Sequence, residues 1–246
     1  MRILNLGCGT KTSNSNDIIN IDWSILLRIK KNYFFTKFIY FFLNNDRKKK
    51  LLEIPQNIVV HDLRKGIPFL EASVDAVYSS HVLEHIDRAF VSDFLKENYR
   101  VLKSQGLIRI VVPDLYYLCS QYVDNYNKCS ELNSSSFSNN HDNFISEILE
   151  QSVRKEAFGS SKQNYIIRKI ENLLLGDARN RGETHQWMYD RFNLQKILLD
   201  VGFRDIKIHT FLTSDIPEWN KFGLDQNDIG EEYKPNSLYI EARKLI

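Results

Sequence analysis

Short apolar runs alternate with helical patterns along most of the chain. Five runs bounded by turn residues predict strands, at residues 2–6, 18–22, 57–61, 74–79 and 107–112. Between the last two runs, apolar residues recur at helical spacing from Val91 to Leu102, and Gly106 follows as a stop signal. This alternation predicts an α/β fold, in which helices cover a mainly parallel sheet.

The C-terminal part of the chain predicts one more helix and two more strands. A helical pattern from Asn193 to Asp200 is followed by Gly202, and then by an apolar run from Ile206 to Phe211. A last strand, 237–242, lies far enough along the chain to turn back as a hairpin partner.

A long insertion, 116–181, separates the fifth strand from this C-terminal unit. Its stretch 124–142 is rich in Asn and Ser, has few residues able to build a core, and is expected to be mobile. Residues 143–175 regain helical periodicity and are expected to form a helical cap over the C-terminal edge of the sheet, where open α/β sheets bind ligands. Because 246 residues suffice for one sizeable domain and are few for two, we interpret residues 1–246 as a single domain with insertions.

A second insertion, 23–57, is basic and aromatic. It holds eight Lys or Arg against Asp46 and Glu53, a local charge of +6 in a chain whose formal net charge is +2. One interpretation is peripheral contact with an anionic membrane. The other is that the aromatic residues pack on the sheet while 47–50 forms a solvated turn. The apolar run 33–43 is too short to span a bilayer. The rest of the chain lacks the broad basic surface of a dedicated nucleic-acid binder.

The cysteines and the N-terminal sequence favour a cytoplasmic location. Cys8, Cys119 and Cys129 form no CxxC pair and have no metal-ligand spacing, and the chain does not open with a signal-peptide pattern. We therefore expect a reducing cytoplasm, with the inner membrane face as a further location if the basic insertion binds lipid.

A glycine turn follows the first predicted strand. In Leu4-Asn5-Leu6-Gly7-Cys8-Gly9, the two glycines allow the backbone to approach a ligand without interference from a Cβ. Asp22 ends the next strand with a carboxylate whose two oxygens can hold ribose hydroxyls. The alternative interpretation is a purely structural turn, with Asp22 capping a helix.

Further motifs follow the third and fourth strands: His61-Asp62-Leu63 and Ser79-Ser80-His81-Val82-Leu83-Glu84-His85-Ile86. With its LNLGCG start, HVLEH segment and VVPDL strand end, the chain resembles the class I S-adenosylmethionine-dependent methyltransferases, especially a bacterial subgroup that has these motifs. The resemblance extends to 182–190 and 234–239, and so covers most of the chain. The ordered motifs together are far more specific than any one of them.

The resemblance implies a Rossmann-like sheet of seven strands whose final strand is antiparallel, with S-adenosylmethionine across the ends of the first four strands. It implies nine cofactor-binding residues at those ends: Leu6, Gly7, Cys8, Gly9, Asp22, Asp62, Leu63, Ser80 and His81. In this arrangement the glycines approach the methionine and ribose portions, and Asp22 binds the ribose. Asp62 contacts the adenine amino group, with Leu63 beside the ring, and His81 lines the methionine side with Ser80.

Three features depart from the family pattern. The acidic residue common in the first motif is Asn5 here, and the usual third glycine position is Lys11. Only twelve residues separate Gly9 from Asp22, which is too few for a full helix and a strand. The carboxylate end of the cofactor is therefore expected to be held differently.

Histidine is the candidate general base, because its ordinary pKa of roughly 6.5 permits proton acceptance near neutral pH. The candidates are His85 and His185, although His85 has an equally good interpretation as a structural residue. His81 and His85 lie four residues apart, but Glu84 is not placed as in an HExxH metal motif and no third ligand is evident. No metal site is therefore predicted.

Alternate positions of segment 182–191 carry His185, Trp187 and Tyr189. If the segment is extended, these side chains point to one side, where they can stack on a ring and hydrogen-bond to a methyl acceptor. The alternative is that Trp187 anchors the insertion to the core and Asp190 caps the following helix.

The predicted function is methyl transfer from S-adenosylmethionine to a small-molecule or glycan acceptor, with a hydroxyl oxygen preferred over a nitrogen. The reaction is an in-line displacement, for which the enzyme supplies alignment and, for a hydroxyl, a base. A catalytically silent cofactor-binding or scaffolding protein is the alternative, favoured by Lys11 and the missing helix. A nicotinamide-dependent oxidoreductase has less support, because Thr12 stands where GxGxxG requires glycine.

Overall fold

A seven-stranded sheet forms the centre of the protein. The computed structural model describes residues 1–23, 27, 28, 30, 55, 57–132, 135–152 and 184–245. The strands are β1 (Ile3–Leu6), β2 (Ile18–Asp22), β3 (Ile58–Val60), β4 (Val74–Ser80), β5 (Leu102–Pro113), β6 (Arg204–His209) and β7 (Ser237–Arg243). Their spatial order is β3-β2-β1-β4-β5-β7-β6. Neighbours among β1 to β5 run parallel, whereas β7 is antiparallel to both β5 and β6. The predicted Rossmann-like α/β fold with an antiparallel last strand is confirmed.

Four α-helices lie in the described part of the chain: α1 (Val91–Val101), α2 (Leu115–Leu132), α3 (Ser135–Gln151) and α4 (Arg191–Val201). The apolar patterns predicted α1 and α4 correctly. Asp190 caps α4, since its carboxylate accepts hydrogen bonds from the backbone N–H groups of Phe192 and Asn193. At the other end, Gly202 adopts the left-handed conformation that ends many helices.

Side chains on the two faces of the sheet build two buried clusters. Leu4 and Leu6 face the cluster that includes side chains of α1 and α4, whereas Ile3 faces the cluster with Trp219 and Phe222. This alternation follows from the period of two along a strand. Because both faces are covered, the central strands are continuous apolar runs, as expected of buried parallel strands. The strand ends remain the available edge for a ligand.

Gly106 does not stop a helix, contrary to the sequence prediction. Helix α1 ends at Val101 and β5 begins at once with Leu102, so Gly106 lies inside the strand. A Cβ at Gly106 would come within 2.8 Å of the Lys103 carbonyl oxygen and 3.1 Å of the Asp75 carbonyl oxygen. Glycine is needed here because two backbone segments approach closely.

The Asn/Ser-rich stretch 124–142 is helical over its described residues, belonging to α2 up to Leu132 and to α3 from Ser135. The low content of core-forming residues did not indicate these helices, and the expected mobility of the stretch stays a prediction. The remainder of the predicted helical cap, 153–181, lies outside the described residues, as does most of the basic insertion 23–57 and hence its predicted membrane contact. Among the described helices, none has the length and apolar character needed to cross a membrane.

Candidate active site

The glycine turn after β1 is shaped by positive backbone angles. Gly7 has φ of +63° and Gly9 has φ of +53°, a region that residues with a Cβ seldom adopt. A Cβ on Gly7 would lie 2.5 Å from Cγ2 of Val82, whereas a Cβ on Gly9 would meet no atom of the described chain within 4 Å. The turn thus packs against the segment after β4 on one side and leaves open space for a ligand on the other.

Asp22 holds this turn in place. Its Oδ2 accepts a hydrogen bond of 2.9 Å from the backbone N–H of Gly9, and the carboxylate is largely buried at the end of β2. The neighbouring Cys8 stays a neutral thiol, because burial and the Asp22 charge raise its pKa. A carboxylate beside a glycine turn at the carboxyl edge of parallel strands fits the ribose of S-adenosylmethionine. The position of Asp22 therefore agrees with the role that the resemblance implies.

Asn5 and Lys11, the two residues that depart from the family pattern, have structural partners. Asn5 Nδ2 donates to the carbonyl oxygen of Lys11 and to Oδ1 of Asn20, each over 3.0 Å. Lys11 Nζ donates to the carbonyl oxygen of Gln226. Residues 10–17, all of them described, form no helix. In the family pattern a helix follows the glycine turn. Here the bonds of side-chain amides and a lysine hold the segment after the turn instead.

Asp62 is engaged by its own neighbour. Both of its carboxylate oxygens accept hydrogen bonds from the Arg64 guanidinium, at 2.8 and 2.9 Å, and these bonds keep the pKa of Asp62 below its ordinary value. Leu63 starts the short 3₁₀ turn that follows and packs on the core. Both residues lie at the end of β3, as predicted, and an adenine amino group would have to share the Asp62 oxygens with Arg64.

His81 connects the HVLEH segment to the C-terminal motif at 234–239. It follows Ser80, the last residue of β4, and its φ of +53° turns the chain sharply. Its Nε2 lies 3.0 Å from Oγ of Ser237, which itself donates to the carbonyl oxygen of Lys234. Nε2 of His81 must therefore carry the proton, and the lone pair on Nδ1 faces Glu84 Oε1 at 3.3 Å.

Glu84 is the residue that the sequence analysis did not single out as functional. Its side chain is 1% exposed, and neither carboxylate oxygen has a hydrogen-bond partner within the described chain. Burial raises the pKa of Glu84 to about 8. The sequence signal for Glu84 was its position as a charged residue between His81 and His85 in an otherwise apolar turn.

The structure brings His85 and His185 together beside Glu84. Their ring centroids lie 4.8 Å apart in an edge-to-face arrangement. The contact forms because the backbone N–H of Gln186 donates to the carbonyl oxygen of Glu84 at 2.6 Å, and the Gln186 side chain donates to the carbonyl oxygen of His85. The two candidate bases, one hundred positions apart, are therefore one site.

Each of these two imidazoles has its Nδ1 next to a backbone carbonyl oxygen. His85 Nδ1 lies 3.2 Å from the Thr184 oxygen, and His185 Nδ1 lies 2.8 Å from the Gln151 oxygen. A carbonyl oxygen accepts only, so Nδ1 carries the proton and Nε2 carries the lone pair. Burial lowers the pKa of His81 to about 3 and that of His85 to about 4, so both rings are neutral at pH 7.

Trp187 and Tyr189 both lie against Arg88, but they are not equivalent. Trp187 is 40% exposed, and the guanidinium of Arg88 lies 4.9 Å from the centroid of its ring. Tyr189 is 1% exposed and belongs to the core cluster, and the carbonyl oxygen of Tyr189 accepts a hydrogen bond from Leu115. Trp187 is thus available to an acceptor, whereas the position of Tyr189 favours the anchoring role. Of the three predicted acceptor contacts, the burial of Tyr189 disfavours this residue, and those of His185 and Trp187 stay predictions.

Comparisons with known proteins concern the enzyme class and the fold. Residues 34–110 match a family model described as a methyltransferase domain. The search of curated proteins returned no match. Solved structures with a similar fold include S-adenosylmethionine-dependent methyltransferases from three organisms. The enzyme from Archaeoglobus fulgidus is 17% identical, with a TM-score of 0.41, over 99% of this chain and 86% of that one.

The second is from Thermotoga maritima, 12% identical with a TM-score of 0.42, over 99% of this chain and 82% of that one. The third, from Mesorhizobium loti, is 14% identical with a TM-score of 0.41, over 98% of this chain and 90% of that one. Likeness at this level concerns the fold. The family match confirms the predicted enzyme class, a methyltransferase, and agrees with S-adenosylmethionine as its cofactor.

Proposed function

We propose that the protein transfers the methyl group of S-adenosylmethionine to a hydroxyl oxygen of a small-molecule or glycan acceptor. The observation that carries this proposal is the meeting of His85 and His185 with buried Glu84, at the end of β4 and next to the glycine turn. S-adenosylmethionine, when bound, supplies a methyl group already activated by its sulfonium. The protein's tasks are therefore to hold both reactants in line and to remove the hydroxyl proton.

The orientation of these two imidazoles suits the second task. With Nδ1 bonded to a carbonyl oxygen, the Nε2 lone pair of each ring can accept the hydroxyl proton as the new oxygen–carbon bond forms and the carbon–sulfur bond breaks. Burial lowers the pKa of His85 to about 4, which makes this ring a weak base that is unprotonated at pH 7. We assign the base to His185, because its segment also carries the exposed ring of Trp187, on which a sugar or another ring can stack.

The His185→Ala variant tests this function. Removing a general base lowers turnover about a hundredfold to ten-thousandfold. The affinity for S-adenosylhomocysteine should change little, because His185 is not among the residues around the glycine turn. Turnover is measured as transfer of labelled methyl from S-adenosylmethionine to candidate acceptors, and affinity by calorimetry.

His141→Ala is the matched control, since His141 lies on α3 and hydrogen-bonds to Asn125 rather than to this site. Wild-type turnover in folded His185→Ala would exclude His185 as the base. A wild-type protein that binds S-adenosylhomocysteine but transfers no methyl group to any acceptor would instead be the silent cofactor-binding protein.

A further inference from the structure

We propose that Glu84, His85 and His185 bind one divalent transition-metal ion, of which zinc is the leading candidate. One oxygen of Glu84 and one ring nitrogen from each histidine all lie within 4.8 Å of one another. This site goes beyond the proposed methyl transfer, since metal binding can be measured without cofactor or acceptor. It also revises the sequence prediction of no metal site, for which a third ligand was missing.

The environment of Glu84 provides the first argument. A buried carboxylate without hydrogen bonds is costly to ionise unless a cation compensates it. The basic side-chain atoms within 4 Å of Glu84 Oε1 in the described chain are His81 Nδ1 at 3.3 Å and His85 Nε2 at 4.0 Å. No lysine or arginine of the described chain lies within ion-pair distance of Glu84, and the charge of Lys234 acts on it only from farther away. A metal ion would supply the positive charge that this carboxylate lacks.

The orientation of the two imidazoles provides the second argument. Histidine ligands of metal ions almost always donate their other ring N–H to a carboxylate or to a backbone carbonyl, which fixes the ring and its tautomer. His85 and His185 both have this arrangement, with Nδ1 against the oxygens of Thr184 and Gln151. The ring nitrogen that carries the lone pair is then Nε2 in both residues.

The donor set selects the class of ion. Two imidazoles and one carboxylate are the ligands of catalytic zinc sites and of other borderline transition metals, whereas Ca²⁺ and Mg²⁺ prefer oxygen ligands alone. A tetrahedral zinc ion with bonds of about 2.1 Å has ligand atoms about 3.4 Å apart, so binding requires the three side chains, now within 4.8 Å of one another, to close by up to about 1.4 Å. Three protein ligands leave a position for a water or for the oxygen of an acceptor hydroxyl, which the ion would acidify. In the metal-bound protein this acidification would replace proton acceptance by His185 Nε2, whose lone pair the ion would occupy.

A second group in the described chain, His209, Asp215 and Glu241, has similar composition but a different environment. Glu241 already accepts hydrogen bonds from Arg109 at 2.6 Å, from Ser214 and from the backbone of Asp215. Its charge is therefore compensated by a buried arginine. This group is an ion-pair network and provides the matched control for a binding experiment.

The test uses untagged full-length protein, stripped with chelator and titrated with Zn²⁺ or Co²⁺ in a calorimeter. We expect one ion per chain in the wild type and in His209→Ala. Glu84→Gln and His185→Ala should bind at least about a hundredfold more weakly, since even loss of an outer-shell partner costs about tenfold to a hundredfold. Circular dichroism checks that each variant is folded. If Glu84→Gln does not fold, His185→Ala alone tests the metal site.

Absence of binding in the wild type would overturn the inference, as would binding that survives in folded His185→Ala. The two proposals fail separately. A protein that binds zinc but transfers no methyl group retains the metal site and loses the proposed function, whereas one that transfers methyl groups and binds no ion does the reverse.

Discussion

At the residue scale, Asp22 has two tasks that a single substitution can separate. One carboxylate oxygen fixes the glycine turn through the Gly9 N–H, while the carboxylate as a whole is placed for a ribose. We expect Asp22→Ala to weaken binding of S-adenosylmethionine about tenfold to a hundredfold, since a hydrogen bond to a charged group contributes about 1.5–3 kcal/mol.

Asp22→Asn is the informative companion variant, because its amide oxygen can still accept from Gly9 while its charge and second acceptor are lost. We expect it to bind the cofactor with intermediate affinity in calorimetry. If folded Asp22→Ala binds as tightly as the wild type, Asp22 does not contact the cofactor.

The partners of single residues explain which roles could be predicted from the sequence. Asp22 was recognisable because a strand-terminal carboxylate after a glycine turn is a local pattern. Glu84 was not, since only the fold shows that its carboxylate is buried and has no hydrogen bond. For Asp62, the sequence could not show that Arg64 occupies both oxygens.

At the scale of elements, the two glycines of the turn after β1 should differ in what they tolerate. Both require positive φ, which costs a residue with a Cβ about 1–2 kcal/mol. Only at Gly7 would the Cβ also collide with Val82, at 2.5 Å. We therefore expect Gly7→Ala to lower the free energy of unfolding by about 1–3 kcal/mol more than Gly9→Ala does.

Urea unfolding without cofactor measures this difference directly. Val82→Ala shortens the colliding side chain. Gly7→Ala should therefore lower the free energy of unfolding less in the Val82→Ala background than in the wild type. Equal destabilisation by Gly7→Ala and Gly9→Ala would show that the contact with Val82 does not constrain the turn.

Strands and amphipathic helices were predictable because their signals are local. The runs at β1, β2 and β4 and the periodicity of α1 gave these elements to within a residue or two. Errors arose where tertiary contacts decide. Gly106 was interpreted as a stop signal because its close approach to the backbone of Asp75 is not visible in sequence. The Asn/Ser-rich composition of 124–142 did not indicate helices there, because α2 and α3 pack on one another through contacts that the local sequence does not show.

At the scale of the whole molecule, the candidate site depends on contacts between distant parts of the chain. His85 and His185 were each proposed as a base, yet nothing local predicted that they meet. Their contact follows from the backbone hydrogen bonds between segment 184–187 and the turn at Glu84. The same holds for His81, whose partner Ser237 lies at the start of β7. Sequence motifs identified the participants, and only the fold showed the cluster.

A second long-range network connects β5 to segment 210–225, the covering segment, which packs on the face of the sheet opposite α1 and α4. Arg109 is fully buried, and its guanidinium bonds to Asp225 at 2.9 Å and to Glu241 at 2.6 Å. It also donates to the carbonyl oxygens of Thr210 and Thr213. Asp225 further accepts hydrogen bonds from Tyr78 and Trp219. One side chain thus connects the centre of the sheet, β7 and the covering segment.

Arg109→Met should therefore destabilise the protein strongly. It keeps most of the side-chain volume but leaves two buried carboxylates without their cation, a situation that costs about 3–5 kcal/mol. The matched control is Lys96→Met, which breaks an ion pair with Asp93 whose side chains are 63% and 70% exposed, and which should cost at most about 1 kcal/mol. Urea unfolding measures both.

Adding Glu241→Gln to Arg109→Met discriminates between loss of packing and loss of charge compensation. If uncompensated charge is the cause, the double variant should be more stable than Arg109→Met, even though Glu241→Gln alone weakens a buried ion pair in the wild type. Lost packing predicts no such recovery, because the amide restores no volume at position 109. An Arg109→Met variant within about 1 kcal/mol of the wild type would show that this network does not hold the covering segment on the sheet.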